Sequence, residues 1–197
     1  MSAKIDAKLV KELRDKTGAP MMACKEVLAA TEGDLEKAIT ELRKRDAKVA
    51  EKKAGREAKE GAVASYIHME GRIGVLLEIN CETDFVAKND QFRDFVKDIT
   101  LHIAAAAPQY VSRDEVPEDV IAKEKEIFAE QMKDKPAKAL EKILEGKMNK
   151  FFSTICLLEQ GYIKDPDKTI EDLLKAKIGE LGENLILRRF TRYALGE

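Results

Sequence analysis

Two consecutive stretches of this chain, residues 62–69 and 72–80, space their apolar side chains with a period close to two, and helix-period segments flank them on both sides. A strand alternates its side chains between two faces, whereas a helix returns to the same face every 3.6 residues. Such a pattern restricts the middle of the chain to a hairpin between helices. In the second stretch Ile73, Val75, Leu77 and Ile79 share a face, and Glu70-Gly71 lies between the runs as a turn. A hairpin alone is marginal. Asn184-Leu-Ile-Leu-Arg-Arg-Phe-Thr-Arg-Tyr193 also reads as a strand and is expected to join it. The predicted fold class is therefore α+β, a three-stranded antiparallel sheet with helices packed on one face.

Residues 5–46 predict three short helices. Ile5, Leu9, Val10 and Leu13 mark the first, and Thr17-Gly18-Ala19-Pro20 ends it, with Pro20 suited to the first position of the next. Met21, Met22, Cys24, Val27 and Leu28 mark the second, and Thr31-Glu-Gly33 breaks it. Asp34 caps a third carrying Leu35, Ala38, Ile39 and Leu42. A module this small cannot cover every apolar group. Met21 and Met22 point about 100° apart, so two readings fit them: both in the core, or at least one on an adaptable contact surface.

Helical period resumes at 90–107, with Phe92, Phe95, Val96, Ile99 and Ile103 before Pro108. Further helices are expected at 117–133, 136–147 and 148–159, and at 170–181 behind a capping Thr169. The expected organisation is a three-helix domain (1–46), a charged linker that is helical or mobile (47–60), and an α+β core domain (61–197) containing a helical 109–160 segment.

Charged residues make up 37% of the chain, yet 35 basic groups nearly cancel 37 acidic ones. That balance argues against a strong binder of nucleic acid or anionic membranes. Residues 1–60 carry a net +3, concentrated in 41–60, where five interleaved acids favour a solvated helix or linker. Cys24, Cys81 and Cys156 are odd in number and far apart, which supports neither a metal site nor a disulfide framework and fits a reducing compartment. The first residues lack the apolar core of a signal peptide, and no apolar run nears the ~18 residues of a membrane span.

Catalytic motifs are missing. Gly146-Lys147 is followed by Met148 rather than the Ser or Thr of a phosphate loop. Gly179-Glu-Leu-Gly182 lacks the strand and first glycine of a dinucleotide fingerprint, and Asp165-Pro-Asp167 lacks the glycine and glutamate of a calcium loop. Neither His68 nor His102 lies near a recognisable nucleophile. The expectation is a protein without bond chemistry and without a cofactor.

What remains is Asn80-Cys-Glu-Thr-Asp-Phe-Val-Ala-Lys-Asn89, the strand-to-helix junction. Phe85 is a large apolar group where polar turn residues are expected, and Asp84 beside it cannot be buried without a partner. Two readings fit: Phe85 tucks into the core while Asp84 caps the next helix, or the pair is an apolar wedge beside a charge offered to another molecule.

Leu9-Val-Lys-Glu-Leu-Arg-Asp-Lys-Thr-Gly-Ala-Pro-Met-Met-Ala-Cys-Lys25, Gly33-Asp-Leu-Glu-Lys-Ala-Ile39, Gly74 to Asn89 and Gly182-Glu-Asn-Leu-Ile-Leu-Arg-Arg189 together resemble the elongation factor Ts family, over nearly the whole chain. Members exchange nucleotide on the translational GTPase elongation factor Tu. The resemblance implies that residues 1–46 form a ubiquitin-associated-like domain docking on the GTPase's nucleotide-binding domain through Arg14, Met21 and Met22. It implies that Thr83, Asp84, Phe85 and Val86 intrude near the GTPase's bound magnesium, and that His68 makes a core-face contact outside the nucleotide domain. The implied partner is elongation factor Tu, GDP-bound and nucleotide-free, in the cytoplasm, with no direct nucleic acid and no membrane. Longer members have two related core subdomains and a C-terminal extension. Here Ser65 to Asn80 resembles parts of both subdomains, which leaves a homodimer as a source of the second. The competing reading is a non-catalytic helical scaffold that binds ubiquitin-like folds or peptides; it leaves Thr83 to Val86 without a role.

Overall fold

The computed structural model describes residues 6–131 and 137–197; Ile5, and residues 132, 133 and 136 at the ends of two expected helices, lie outside them. Helix α1 (Ala7–Thr17) starts where Asp6 accepts the Lys8 N–H at 3.0 Å and ends at Gly18, which adopts φ +74° and donates to the Arg14 carbonyl. Only glycine takes that left-handed turn without strain. Pro20 sits one position earlier than expected: it precedes α2 (Met21–Ala30) in an extended conformation, ψ 141°, and its carbonyl accepts the Cys24 N–H. A proline is as well suited there, because the position requires no N–H. Asp34 caps α3 by accepting from the Lys37 N–H at 3.0 Å. The module's core is Val10, Leu13, Ala19, Cys24, Val27, Leu28, Ala38 and Leu42. Helix α3 spans Leu35–Lys53, so the helical option holds for the first half of the 47–60 stretch. Buried Ala50 explains why the helix continues.

Strands β1 (Glu60–His68), β2 (Ile73–Cys81) and β5 (Ile186–Ala194) form the expected antiparallel sheet in the order β1-β2-β5. Val75, Leu77 and Ile79 are buried, while Val63, Ile67 and Leu76 on the opposite face are exposed. The β1–β2 turn passes through positive φ at Met69, Glu70 and Gly71, and the Arg72 N–H returns to the His68 carbonyl. At Gly61 the two strands approach so closely that a Cβ would stand 2.1 Å from the Ile79 carbonyl oxygen, and the residue holds φ +140°.

Helix α5 (Asp90–Ala106) buries Phe92, Phe95, Val96, Ile99 and Ile103 as its period requires. Helix α6 is Glu118–Gln131 and α7 is Ala137–Ile155, one helix where two were expected. Gly146 does not break α7, because Leu144, Met148, Phe152 and Ile155 form a continuous stripe packed with Val120, Ile121 and Phe128 of α6. The segment 157–159 is a single 3-10 turn. A small hairpin, β3 (Gly161–Tyr162) with β4 (Asp165–Thr169), was not legible in the sequence; α8 (Ile170–Leu181) follows as expected. His102 is fully buried in packing, its Nε2 2.9 Å from Gln160 Oε1, while Nδ1 accepts from the Ile163 N–H at 3.4 Å. Burial lowers its pKa and keeps the imidazole neutral.

The chain divides into two compact units. One holds the described residues of Met1–Ala64 with Glu78–Asp98 and Glu171–Arg188; the other holds Ser65–Leu77, Ile99–Ile170 and Arg189–Glu197. Within the first, Asp46 of α3 lies against α8 at Gly179, where a Cβ would fall 2.4 Å from its Oδ1. Burial, reinforced by Glu180, raises the Asp46 carboxyl to about 6.

Gly61→Ala combines backbone strain with a backbone clash and is expected to destabilise the protein by about 2–4 kcal/mol in urea unfolding. Gly71→Ala, at φ +95° with open space around it, loses only about 1 kcal/mol; equal losses would contradict the close approach. A carboxyl raised in the folded state contributes stability that is complete below about pH 4 and lost as pH rises through about 6. Asp46→Asn is therefore expected to gain about 1 kcal/mol over the parent at pH 7.5 and nothing at pH 4, measured by thermal melts at both pH values.

Candidate functional site

The junction after β2 is built from its polar side. Thr83 precedes α4 (Asp84–Ala87), a helix of one turn, and its Oγ1 accepts the Val86 N–H at 3.4 Å. Thr83, not Asp84, is thus the cap. Asp84 is the first helical residue and pairs with Lys88 across one turn, Nζ to Oδ2 at 2.6 Å. That bond lowers the Asp84 pKa and keeps it ionised.

Two carboxylates hold the segment in place. Glu183 Oε2 accepts the N–H groups of Glu82 and Thr83 at 3.1 and 3.0 Å, and Thr83 Oγ1 donates to Glu183 Oε1 at 2.6 Å. In return, Glu82 Oε1 accepts the Asn184 N–H at 2.7 Å, and Glu82 Oε2 lies 3.5 Å from Arg56 Nη1. The Asn184 N–H, followed by Arg56, holds the Glu82 carboxyl below its usual range. Asn184 Nδ2 donates to the Arg56 carbonyl at 2.8 Å, and Lys53 Nζ donates to the Gly182 carbonyl. The ends of α3, β2 and α8 are thereby fastened together within one unit.

Phe85 stands on this frame and is 81% exposed. It makes no part of the core, which removes the inward reading. The neighbouring Val86 is half-buried. Met21 and Met22 are 53% and 66% exposed at the start of α2, and Arg14 is exposed on α1. The methionines are therefore surface groups, with Cys24, Val27 and Leu28 filling the core instead. Arg14, Met21, Met22 and Thr83 to Val86 belong to the same compact unit, and His68 belongs to the other. His68 is exposed at the end of β1, its Nδ1 2.8 Å from Tyr66 Oη and the two rings stacked at 5.6 Å.

Among the described residues, no three His, Cys, Asp or Glu side chains gather where a metal ion could be held, and no helix is long and apolar enough to cross a membrane. All three cysteines are buried as free thiols, and burial raises Cys81 and Cys156 to about 11, far from a reactive thiolate. The chemistry on offer is adhesive: an apolar ring, a neighbouring carboxylate and two soft methionines. Reasoning on local pattern missed Glu82, Glu183 and Asn184, whose hydrogen bonds fasten the segment that leads to the ring. Their partners lie about a hundred residues away, and the only signal was that Gly182-Glu183-Asn184 stands in a segment carrying the family resemblance.

The family model described as elongation factor Ts matches residues 5–197. The protein of that name from Geobacter metallireducens is 58% identical over 195 residues, covering 98% of this chain and 90% of its own. Those from Thermodesulfovibrio yellowstonii and Caldanaerobacter subterraneus are each 54% identical, covering 98% of this chain and 97% and 98% of their own.

An exposed ring contributes little to folding, so Phe85→Ala is expected to change the unfolding free energy by under about 0.5 kcal/mol. Phe92→Ala, seven residues on and fully buried, is expected to lose about 3–5 kcal/mol. Comparable losses in urea titrations would place Phe85 inside after all.

Proposed function

This chain belongs to the elongation factor Ts family and shares its function in translation elongation; from that premise we propose how it acts. It binds GDP-loaded elongation factor Tu and disturbs the partner's magnesium and phosphate site, so that GDP leaves and GTP can reload. It is an exchange factor that makes and breaks no covalent bond and works in the cytoplasm. Residues 1–46 dock on the nucleotide-binding domain through Arg14, Met21 and Met22; residues 47–60 connect; residues 61–197 carry the wedge of Thr83 to Val86, with His68 as a further contact. A homodimer of two such chains is part of the proposal, and light scattering at micromolar concentration reads it.

The observation that supports the wedge is the 81% exposure of Phe85 on a braced single-turn helix. An exchange factor must bind the nucleotide-free state more tightly than the loaded one, and the same factor then weakens nucleotide binding. An aromatic ring entering an apolar crevice supplies roughly 2–3 kcal/mol of such a difference. Magnesium demands near-ideal geometry, so a small shift of its surroundings releases it. A scaffold for ubiquitin-like folds is not favoured, because it uses only the helical module.

Release of a fluorescent GDP analogue from elongation factor Tu tests the proposal. Phe85→Ala is expected to lower the maximal release rate at least about tenfold, whereas Met21→Ala with Met22→Ala raises the concentration needed for half-maximal release. A native rate in Phe85→Ala would overturn the wedge, and no acceleration by the native chain would overturn the exchange reading itself.

A further inference from the structure

We propose that Glu183 is a positioning residue for nucleotide exchange, setting the direction in which Phe85 points; the proposal rests on the wedge reading above. The ring cannot position itself. It is 81% exposed, so no packing beneath it fixes its place, and α4 is one turn long, too short to hold its own axis. Its internal bonds, Ala87 N–H to the Thr83 carbonyl and Lys88 N–H to the Asp84 carbonyl, tie the turn only to itself. On its exit side the turn is held by the Asn89 N–H on the Val86 carbonyl and by half-buried Val86; on its entry side the direction comes from the residue that leads into it.

That residue is Thr83, and Glu183 takes both its N–H and its hydroxyl hydrogen, together with the Glu82 N–H. Three donors on one carboxylate fix both position and rotation. Bonds to an ionised acceptor are roughly twice as strong as neutral ones. The carboxylate is itself anchored. Gly182 before it ends α8 at φ +72°, donates to the Ile178 carbonyl and receives Lys53 from α3. Asn184 after it is bonded to Glu82 and Arg56. Thr83 Oγ1 also accepts from Val86, so the same hydroxyl passes the constraint from Glu183 into the turn that bears Phe85.

A positioning role predicts a loss of maximal rate without a loss of docking. In the full-length chain, Glu183→Ala is expected to lower the maximal GDP release rate about tenfold, with the half-saturating concentration within about twofold of native. Hydrogen exchange should quicken at the amides of Glu82 and Thr83 while β2 and α5 stay protected. Glu183→Gln, which keeps the reach and an oxygen for the two N–H groups, should recover most of the rate. The proposal is overturned if Glu183→Ala exchanges at the native rate beside an impaired Phe85→Ala. It is equally overturned if Glu183→Ala acts only through the half-saturating concentration, or loses protection throughout the sheet with no recovery in Glu183→Gln. A native rate in Phe85→Ala would instead bring down the wedge reading and this proposal with it.

Discussion

The exchange of carboxylates between Glu82-Thr83 and Glu183-Asn184 is the interaction on which the rest of this structure hangs. Where a strand leaves its ladder, a helix ends or another begins, backbone polar groups lose their regular partners and must find others. Here each segment lends the other a side-chain carboxylate for that purpose. The two segments are about a hundred residues apart, yet the entropy of closing so long a loop grows only slowly with its length. One junction therefore ends β2, starts α4, ends α8 and delivers the chain toward β5. Through Lys53 and Arg56 it also takes hold of the end of α3.

A turn braced in this way reverses the usual arrangement. Its polar groups are engaged on the protein side, and its one large apolar group faces water. Single exposed apolar residues are ordinary on any surface. Phe85 is the second residue of a four-residue helix whose lead-in, Glu82 and Thr83, is hydrogen-bonded to Glu183, and it is on this arrangement that the proposed wedge rests. The methionines of α2 have a simpler origin. A core of three short helices has room for Cys24, Val27 and Leu28 but not for side chains one position around the helix.

Much of this was legible beforehand because the signals were local. Asp34, Gly18 and the buried faces of α1, α3 and α5 follow from capping chemistry and helical period. The period of two in 62–80, and the apolar character of 184–193, were enough for the sheet. Two helices were expected where α7 is one, because the packing stripe of Leu144, Met148, Phe152 and Ile155 outweighs the low helix propensity of Gly146. The hairpin at 161–169 escaped because a two-residue strand facing Asp-Pro-Asp-Lys-Thr shows no alternation to read. His102 showed in the sequence only that no recognisable nucleophile is near it; its bonds to Gln160 and Ile163 come from elements far along the chain.

The sequence by itself determined most of the helices and the three strands of the main sheet, where most helices begin, and that Phe85 and Asp84 are out of place in an ordinary turn, since each of these depends on neighbours within a few residues. Only the tertiary structure decided that Phe85 faces solvent, that Thr83 rather than Asp84 caps α4, and that Glu183 holds the turn. The Thr83 cap is a bond to Val86 only three residues on, but the hold of Glu183 depends on hydrogen bonds between residues a hundred positions apart, and no periodicity in a sequence encodes which distant carboxylate will meet which backbone N–H.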